Sequence, residues 1–382
     1  MNIIDKNYFV KINQQTFIDY GQILSKVNIV NFYNSLNHLS SEETKKHSDE
    51  FKTPPVYSTV ITGTGSAVPE HILTNEDLEK ILDTSDQWIT ERTGMKERRI
   101  AKPEEAASDF AFCAAQNALA DANVKPEEID LIIVATVTGD MPFPSTACIL
   151  QHRLGATKAA AMDLSAGCSG FIYALVTAHQ FISTGTYKTI LVVGVEVLSK
   201  ITDWTDRSTA VLLADGAGAA VLRATPDPDR GIIATYLAAD GSHGKDLYMP
   251  AGGSAIPASI ESVQKRLHYL KMNGSAIFKV AVRSMSDVVK RLMERARIAT
   301  EDIALIIPHQ ANLRIIEAMA KMLNFPMSRI FVNIQKYANT SSASTIIALD
   351  EARRSGRIRV NDLVIMVAFG AGLTWGGVLL RF

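Results

Sequence analysis

From about residue 57 onward, short and almost purely apolar runs alternate with stretches whose apolar residues recur at helical spacing. Leu131 to Val137 and Thr189 to Val195 are runs of the first kind. Neither leaves a polar face, so both predict strands buried on two sides, as in parallel sheets covered by helices. Phe171, Ala174, Leu175, Ala178 and Ile182 share one helical face. Helices are also predicted over Phe110 to Ala122 and over Val280 to Arg297. The alternation opens with a strand at Val60 to Gly65 and has the rhythm of an α/β protein.

The pattern repeats. Val124-Lys-Pro-Glu-Glu-Ile-Asp-Leu-Ile-Ile133 aligns with Ile298-Ala-Thr-Glu-Asp-Ile-Ala-Leu-Ile-Ile307, 174 positions on (298 minus 124). Each copy has a helix before it, then an acidic turn, then a buried strand. Further along, Cys168 to Gly185 followed by Thr189 to Gly194 parallels Asn339 to Gly356 followed by Asp362 to Met366, 171 positions on (339 minus 168). Two pseudo-repeated halves on one βαβ-type plan follow, residues 57–225 and 226–382, with their sheets packed on a shared helix layer. Equivalent loops of the two halves then converge on one site.

Residues 1–56 differ in texture. Asparagine recurs there, Ser40 to Glu50 is polar and charged, and the first arginine is Arg92. The segment reads as a loosely docked or disordered N-terminal extension closed by the stiff Pro54-Pro55, and no export or organelle-import pattern is recognisable in it. Over all 382 residues, 39 Lys+Arg face 40 Asp+Glu, a formal net charge of -1. This balance offers no global footprint for nucleic acid or an anionic membrane, so an anionic ligand needs a local patch. The apolar runs are far shorter than a membrane span. Three cysteines without a CxxC pair argue against a disulfide framework and for a reducing, cytoplasmic setting.

Among those cysteines, Cys168 stands apart. Asp163-Leu-Ser-Ala-Gly-Cys168-Ser-Gly170 is a turn of small residues between an apolar strand and the helix that begins near Phe171. A thiol at a helix N-terminus meets unpaired N–H groups and the positive end of the dipole, which favour thiolate. Cys113 and Cys148 lie within helical patterns and are expected to be buried structural residues. His309 directly follows the strand Leu305 to Pro308, where strand ends present chemical groups. Asn339, the repeat partner of Cys168, begins a small-residue turn and reads either as a cap or as a member of the site. Ala368 to Gly377 is a loop of small residues whose N–H groups could form an oxyanion hole. No metal-ligand spacing is present, and Asp215-Gly-Ala-Gly-Ala-Ala220 reads as a tight turn with close strand packing rather than a nucleotide fingerprint.

With these residues in view, the chain resembles the β-ketoacyl-acyl-carrier-protein synthase III family of the thiolase superfamily, from about Val60 to Phe382. The marks are Asp83-Thr-Ser-Asp-Gln-Trp-Ile-Thr-Glu-Arg-Thr-Gly94, Leu164 to Gly170, Asp206-Arg207, Asp215 to Gly218, Pro308-His-Gln-Ala-Asn-Leu-Arg314 and Asn339-Thr-Ser. The resemblance implies a thiolase-like α/β fold layered α-β-α-β-α. It implies that Cys168 takes an acyl group from acyl-CoA, with acetyl-CoA as the expected primer. His309 and Asn339 then serve decarboxylation of a malonyl-carrier protein, and the N–H groups of Cys168 and Ala371 hold the oxyanion. It assigns Trp88, Arg92, Arg207 and Gly274 to CoA, and Gln310, Asn312, Arg314 and Lys321 to the carrier protein. Phe143, Leu198, Leu213 and Phe369 go to the acyl pocket, with Phe143 offered across a homodimer interface.

The implied substrates are a CoA thioester and a phosphopantetheine-bearing carrier protein, with no tightly bound cofactor and no metal. Arg314 and Lys321 are seven apart and share a helical face whatever the family, so they form a basic patch for an acidic carrier or a solvated face. The sequence departs from many relatives at Gly370-Ala371-Gly372, where three glycines are usual. It departs again at Leu213, where some acetyl-preferring relatives carry Phe, which leaves primer length open. Starter-unit or long-chain condensation, O-acyl transfer on the same fold, or a non-catalytic carrier-binding scaffold are the competing readings.

Overall fold

The computed structural model describes residues 57–382, so the expectations for residues 1–56 lie outside the described residues. In chain order the strands are β1 (Ser58–Ala67), β2 (Ile72–Thr74), β3 (Glu97–Arg99), β4 (Leu131–Ala135), β5 (Ala160–Leu164), β6 (Thr189–Val197) and β7 (Asp215–Thr225). There follow β8 (Gly231–Ala239), β9 (Leu247–Tyr248), β10 (Lys271–Met272), β11 (Ile303–Pro308), β12 (Leu363–Gly370) and β13 (Thr374–Arg381). One sheet runs β1-β7-β6-β4-β5 and a second runs β11-β12-β13-β8. In each, a parallel pair (β4 with β6, β11 with β12) is extended by two antiparallel strands, β7 and β1 or β13 and β8. The repeat seen in the sequence is a repeat of topology.

Its local chemistry is shared as well. The helices Ala107–Ala122 and Gly274–Ala296 both stop at a left-handed residue, Asn123 (φ 51°) and Arg297 (φ 55°). In the acidic turn that follows each, a side chain caps the backbone: Glu128 accepts from the Lys125 N–H at 2.8 Å, and Asp302 from the Ala299 N–H at 2.8 Å.

Alternate residues of the buried strands go to opposite faces, which builds the layers. On β4, Leu131, Ile133 and Ala135 join a central core with the helices Gly170–Ser183 and Ala343–Arg354, while Ile132 and Val134 face the helix Ala107–Ala122. On β12, Val364, Met366 and Ala368 meet the same central core, and Ile365, Val367 and Phe369 face the helices Gly274–Ala296 and Leu313–Leu323. The result is helix, sheet, paired helices, sheet, helix. Burying each such Leu, Ile or Phe is worth about 1.5–3 kcal/mol, so the central layer couples the two sheets strongly.

Gly63 and Gly65 let β1 lie directly on the helix Ala107–Ala122. A Cβ on Gly65 would come within 2.5 Å of the Ala114 carbonyl oxygen, and one on Gly63 equally close to that of Ala118. Gly65→Val should therefore cost about 1–3 kcal/mol or more through overpacking and lower the thermal midpoint by several degrees. An unchanged melting curve would contradict this packing.

Two expectations need correction. Asp215–Ala220 is the first half of strand β7 rather than a turn; its glycines serve close approach, since a Cβ on Gly218 would sit 3.0 Å from Ile346 Cγ1 of the central layer. Cys113 and Cys148 are exposed rather than buried, because each falls on the outward side of its helix. Among the described residues, no helix is long and apolar enough to cross a membrane.

Candidate active site

The loops at the carboxyl ends of matched strands meet where the two sheets face each other. Cys168 sits in the single turn Gly167–Ser169, between β5 and the helix Gly170–Ser183. The turn is pressed against the loop after β12. A Cβ on Gly167, whose φ is +54°, would come within 2.7 Å of the Ala371 nitrogen, and one on Gly370 would collide with the Cys168 backbone. This approach aims the N–H groups of Ala371 and Cys168 at the thiol sulfur. Gly372 takes the positive φ of that loop (φ +141°), and Ala371 has none, so a glycine at position 371 is dispensable.

Asn339 forms a parallel bridge with Leu213: its N–H donates to the Leu212 carbonyl at 3.0 Å and its carbonyl accepts from the Ala214 N–H at 3.0 Å. Its Oδ1 accepts the Ser341 N–H at 2.8 Å. The oxygen of Asn339 thus closes the turn before the helix Ala343–Arg354, whose N-cap is Ser342, which leaves Nδ2 as the donor for a ligand. His309 follows β11, anchored by its N–H on the Val367 carbonyl at 2.8 Å, and its Nδ1 lies 2.5 Å from Ser344 Oγ. The segment from Asn339 to Ser344 therefore gathers the site: it carries Asn339, holds His309 through Ser344, and places Ser341 on the same cavity wall as Cys168.

Electrostatics correct one expectation. Burial pushes the Cys168 thiol up to about 11; the Ser341 hydrogen bond pulls it down, the Glu196 charge adds to the rise, and the Ala371 and Cys168 N–H groups oppose it. The helix terminus does not win, and the resting group is a thiol rather than a thiolate. His309 is only 2% exposed, and burial lowers its imidazole to about 3, so it is neutral at any working pH.

An apolar cavity of about 190 Å³ opens on Cys168, Asn339, Ser341 and Ala371, walled by Leu198, Leu212, Leu213, Met249 and Met272. A larger groove of about 550 Å³ lies by Arg230, Arg353 and Arg359 and contains none of these groups. Of the expected acyl-pocket residues, Leu198 and Leu213 line the cavity. Phe369 does not: it alternates to the other face of β12 and is 4% exposed in the outer core. Phe143 is 85% exposed on the loop before the helix Thr146–Leu154. Met249 and Met272 were missed because β9, which Met249 follows, and β10 are only two residues each and carry little periodicity, and Leu212 because it lies in the short turn before β7.

Trp88, Arg92 and Arg207 come together at the surface, with the guanidinium carbons 5.1 and 4.8 Å from the indole centroid. Gly274 starts its helix beside Met272, a wall of the cavity. Arg314 and Lys321 are exposed on the helix Leu313–Leu323. Gln310 cannot meet a carrier protein. It is 1% exposed, its Nε2 donates to the Pro308 and Phe331 carbonyls at 2.8 and 3.2 Å, and its Oε1 accepts the Asn333 N–H at 3.1 Å. The side chain of Asn312 is occupied as the N-cap of the helix, accepting the Arg314 N–H at 2.9 Å.

The family profile described as 3-Oxoacyl-[acyl-carrier-protein (ACP)] synthase III matches residues 162–241, and its C-terminal counterpart matches residues 293–382. A beta-ketoacyl-[acyl-carrier-protein] synthase III of Caldanaerobacter subterraneus subsp. tengcongensis is 57% identical over 322 residues, 84% of this chain and 97% of that protein. The chain belongs to the β-ketoacyl-acyl-carrier-protein synthase III family. The crystal structure of the 3-oxoacyl-[acyl-carrier-protein] synthase III of Aquifex aeolicus VF5 agrees, with 52% identity, a TM-score of 0.79, and coverage of 85% of this chain and 100% of that one. A priming beta-ketosynthase of the R1128 polyketide pathway is more distant, at 33% identity and a TM-score of 0.80 over 87% of this chain and 98% of that one. As a member of this family the chain is an acyltransferase with the thiolase fold, an initiating condensing enzyme of type II fatty acid synthesis.

Proposed function

We propose that Cys168, His309 and Asn339 carry the condensation in two half-reactions. Cys168 attacks the thioester carbonyl of an acyl-CoA, acetyl-CoA in the simplest case, and releases CoA. The oxyanion is held by the N–H groups of Cys168 and Ala371. Malonyl-acyl-carrier protein then enters, and its thioester carbonyl accepts hydrogen bonds from His309 and from Asn339 Nδ2. Carbon dioxide leaves, and the resulting enolate carbon attacks the Cys168 thioester; the carbon–sulfur bond then breaks, which frees the Cys168 sulfur to be reprotonated and gives the 3-oxoacyl-carrier protein.

The protonation of His309 suits this role. Ser344 Oγ accepts the Gln310 N–H at 3.4 Å, so its own proton can go to His309 Nδ1. A neutral imidazole then carries its hydrogen on Nε2, ready to donate to the carbonyl. The observation that carries the whole reading is the meeting of a helix-terminal thiol and the Asn339 amide on one apolar cavity, with the buried, neutral imidazole of His309 held behind it by the same segment, through Ser344.

At the surface, the adenine of CoA displaces one guanidinium from the Trp88 face and leaves that arginine for phosphate. Arg314 and Lys321 receive the acidic carrier. Exposed Val137, Met141 and Phe143 form the homodimer contact through which Phe143 reaches a partner's pocket. A cytoplasmic setting supplies both substrates.

The test is the intact mass of the protein after incubation with acetyl-, butyryl-, isobutyryl- or octanoyl-CoA, followed by a chase with malonyl-carrier protein. Acetylation discharged by the chase supports the initiating reaction. Preferential loading of longer or branched chains moves the protein to another starter-unit pathway, and absence of any adduct sinks the reading. Leu213→Phe should slow butyryl loading by about tenfold or more while acetyl loading holds within a few-fold, as hydrophobic pockets discriminate by added methylenes. Equal effects on both would remove Leu213 from the acyl wall.

A further inference from the structure

Glu196 is a fully buried side chain on an otherwise apolar strand, β6, and the two half-reactions above give it no task. Its Oε2 accepts from Thr138 Oγ1 at 2.5 Å and from the Val137 N–H at 3.1 Å. The Thr138 hydroxyl in turn accepts the Val197 N–H at 2.8 Å, which leaves its own proton for the carboxylate. The other oxygen, Oε1, accepts from Ser341 Oγ at 3.1 Å. Glu196 therefore bridges the loop after β4 to the turn that begins at Asn339. The bridge ends on a strained residue: Ser341 has φ +47°, the left-handed region that a β-carbon disfavours, and the bond from its hydroxyl pins it there. So held, its N–H donates to Asn339 Oδ1 at 2.8 Å. The backbone of Asn339 is fixed by its bridge to Leu213, but the side-chain amide still turns about two bonds. Among the described residues, the Ser341 N–H makes the one hydrogen bond that stops it.

We infer that Glu196 is a positioning residue for decarboxylation: through Ser341 it fixes the Asn339 amide, so that Nδ2 stays aimed at the thioester carbonyl of the malonyl group. The inference rests on Asn339 being that donor. Glu196 itself touches no reacting atom and exchanges no proton. A donor held in advance needs no reorganisation as charge develops on the enolate oxygen, whereas an amide free to turn must be ordered at that moment. The role needs the bridge and not the charge. A glutamine at 196 can set its carbonyl oxygen toward Thr138 and Val137 and its amide N–H toward Ser341 Oγ, which keeps the bridge with one donor reversed. Alanine at 196 removes it from one end, and alanine at 341 from the other.

The experiment takes the full-length protein with Cys168 already acetylated and follows labelled carbon dioxide in a single turnover with saturating malonyl-carrier protein. Loading by acetyl-CoA is timed separately by rapid quench and intact mass. Glu196→Ala and Ser341→Ala should release carbon dioxide about 10- to 100-fold more slowly, as misplaced catalytic groups do. Loading should change only a few-fold, because its oxyanion is held by backbone N–H groups. Glu196→Gln should stay within a few-fold of the wild type in both steps. The double variant Glu196→Ala/Ser341→Ala should be no slower than the slower single one, since both break the same link. Should Glu196→Ala fail to fold by thermal melting, Ser341→Ala and Glu196→Gln decide. Normal carbon dioxide release by folded Ser341→Ala, equal losses in loading and release, or a Glu196→Gln as slow as Ser341→Ala overturns the inference. Asn339→Ala separates the two levels: if it releases carbon dioxide at the wild-type rate, the role given to Asn339 has failed and the inference falls with it. If it is slow while Ser341→Ala is normal, only the inference falls.

Discussion

Cys168→Ala is expected to leave the protein unlabelled by any acyl-CoA and to lower condensation from acyl-CoA and malonyl-carrier protein by at least about 1,000-fold. The size of the effect follows from the chemistry: without sulfur there is no covalent intermediate, and the acyl group has no route from CoA to the malonyl carbon. The neighbouring structure should survive, since Cys168 is half-buried at a cavity wall and alanine is isosteric with all but one atom. The decisive measurement is intact mass with a tryptic map of the labelled site. Labelling at exposed Cys113 or Cys148, persisting in the variant, would expose non-specific thiol chemistry, and an unaltered condensation rate would exclude Cys168.

His309→Ala should separate the half-reactions. Loss of the Nε2–H donor removes one of two hydrogen bonds to the developing enolate, an effect of about 100- to 1,000-fold on decarboxylation. Acylation of Cys168 by acyl-CoA should change only a few-fold, because its oxyanion is held by backbone N–H groups. Release of labelled carbon dioxide measures the first and intact mass the second; equal losses in both would contradict the division of labour. The wild type adds a pH test. With the imidazole held at about 3 by burial, it stays neutral as pH falls through the ordinary histidine range, so decarboxylation should show no step near pH 6.5.

Much of the fold is legible in the linear pattern. The apolar runs at Leu131 and Thr189 became strands β4 and β6, and the alignment of Val124–Ile133 with Ile298–Ile307 became matched helix, capped turn and strand. These features are local: helical spacing, strand alternation and capping depend on residues a few positions apart. The turns bearing Cys168 and Asn339 were visible for the same reason, as small-residue sequences leading into an apolar helix.

What failed to show depended on distant neighbours. Gln310 stands in a motif beside His309, yet its side chain closes on the carbonyls of Pro308 and Phe331. Phe369 is one residue from the glycine loop but faces the outer core, because strand alternation puts Ala368 and Gly370 on the other side. The thiol state of Cys168 could not be inferred from a helix N-terminus, since burial and the Glu196 charge outweigh it. Glu196 itself left a signal, a charge directly after an apolar run, but its partners Thr138 and Ser341 lie 58 and 145 positions away.

By itself, then, the sequence determined the long helices, the buried parallel strands and their duplication, because these follow from periodicity and short-range hydrogen bonding. Only the tertiary structure decided which side chains share the cavity, which are spent on structure, and where protons rest. Those properties arise from desolvation and from contacts between segments that the chain order holds far apart.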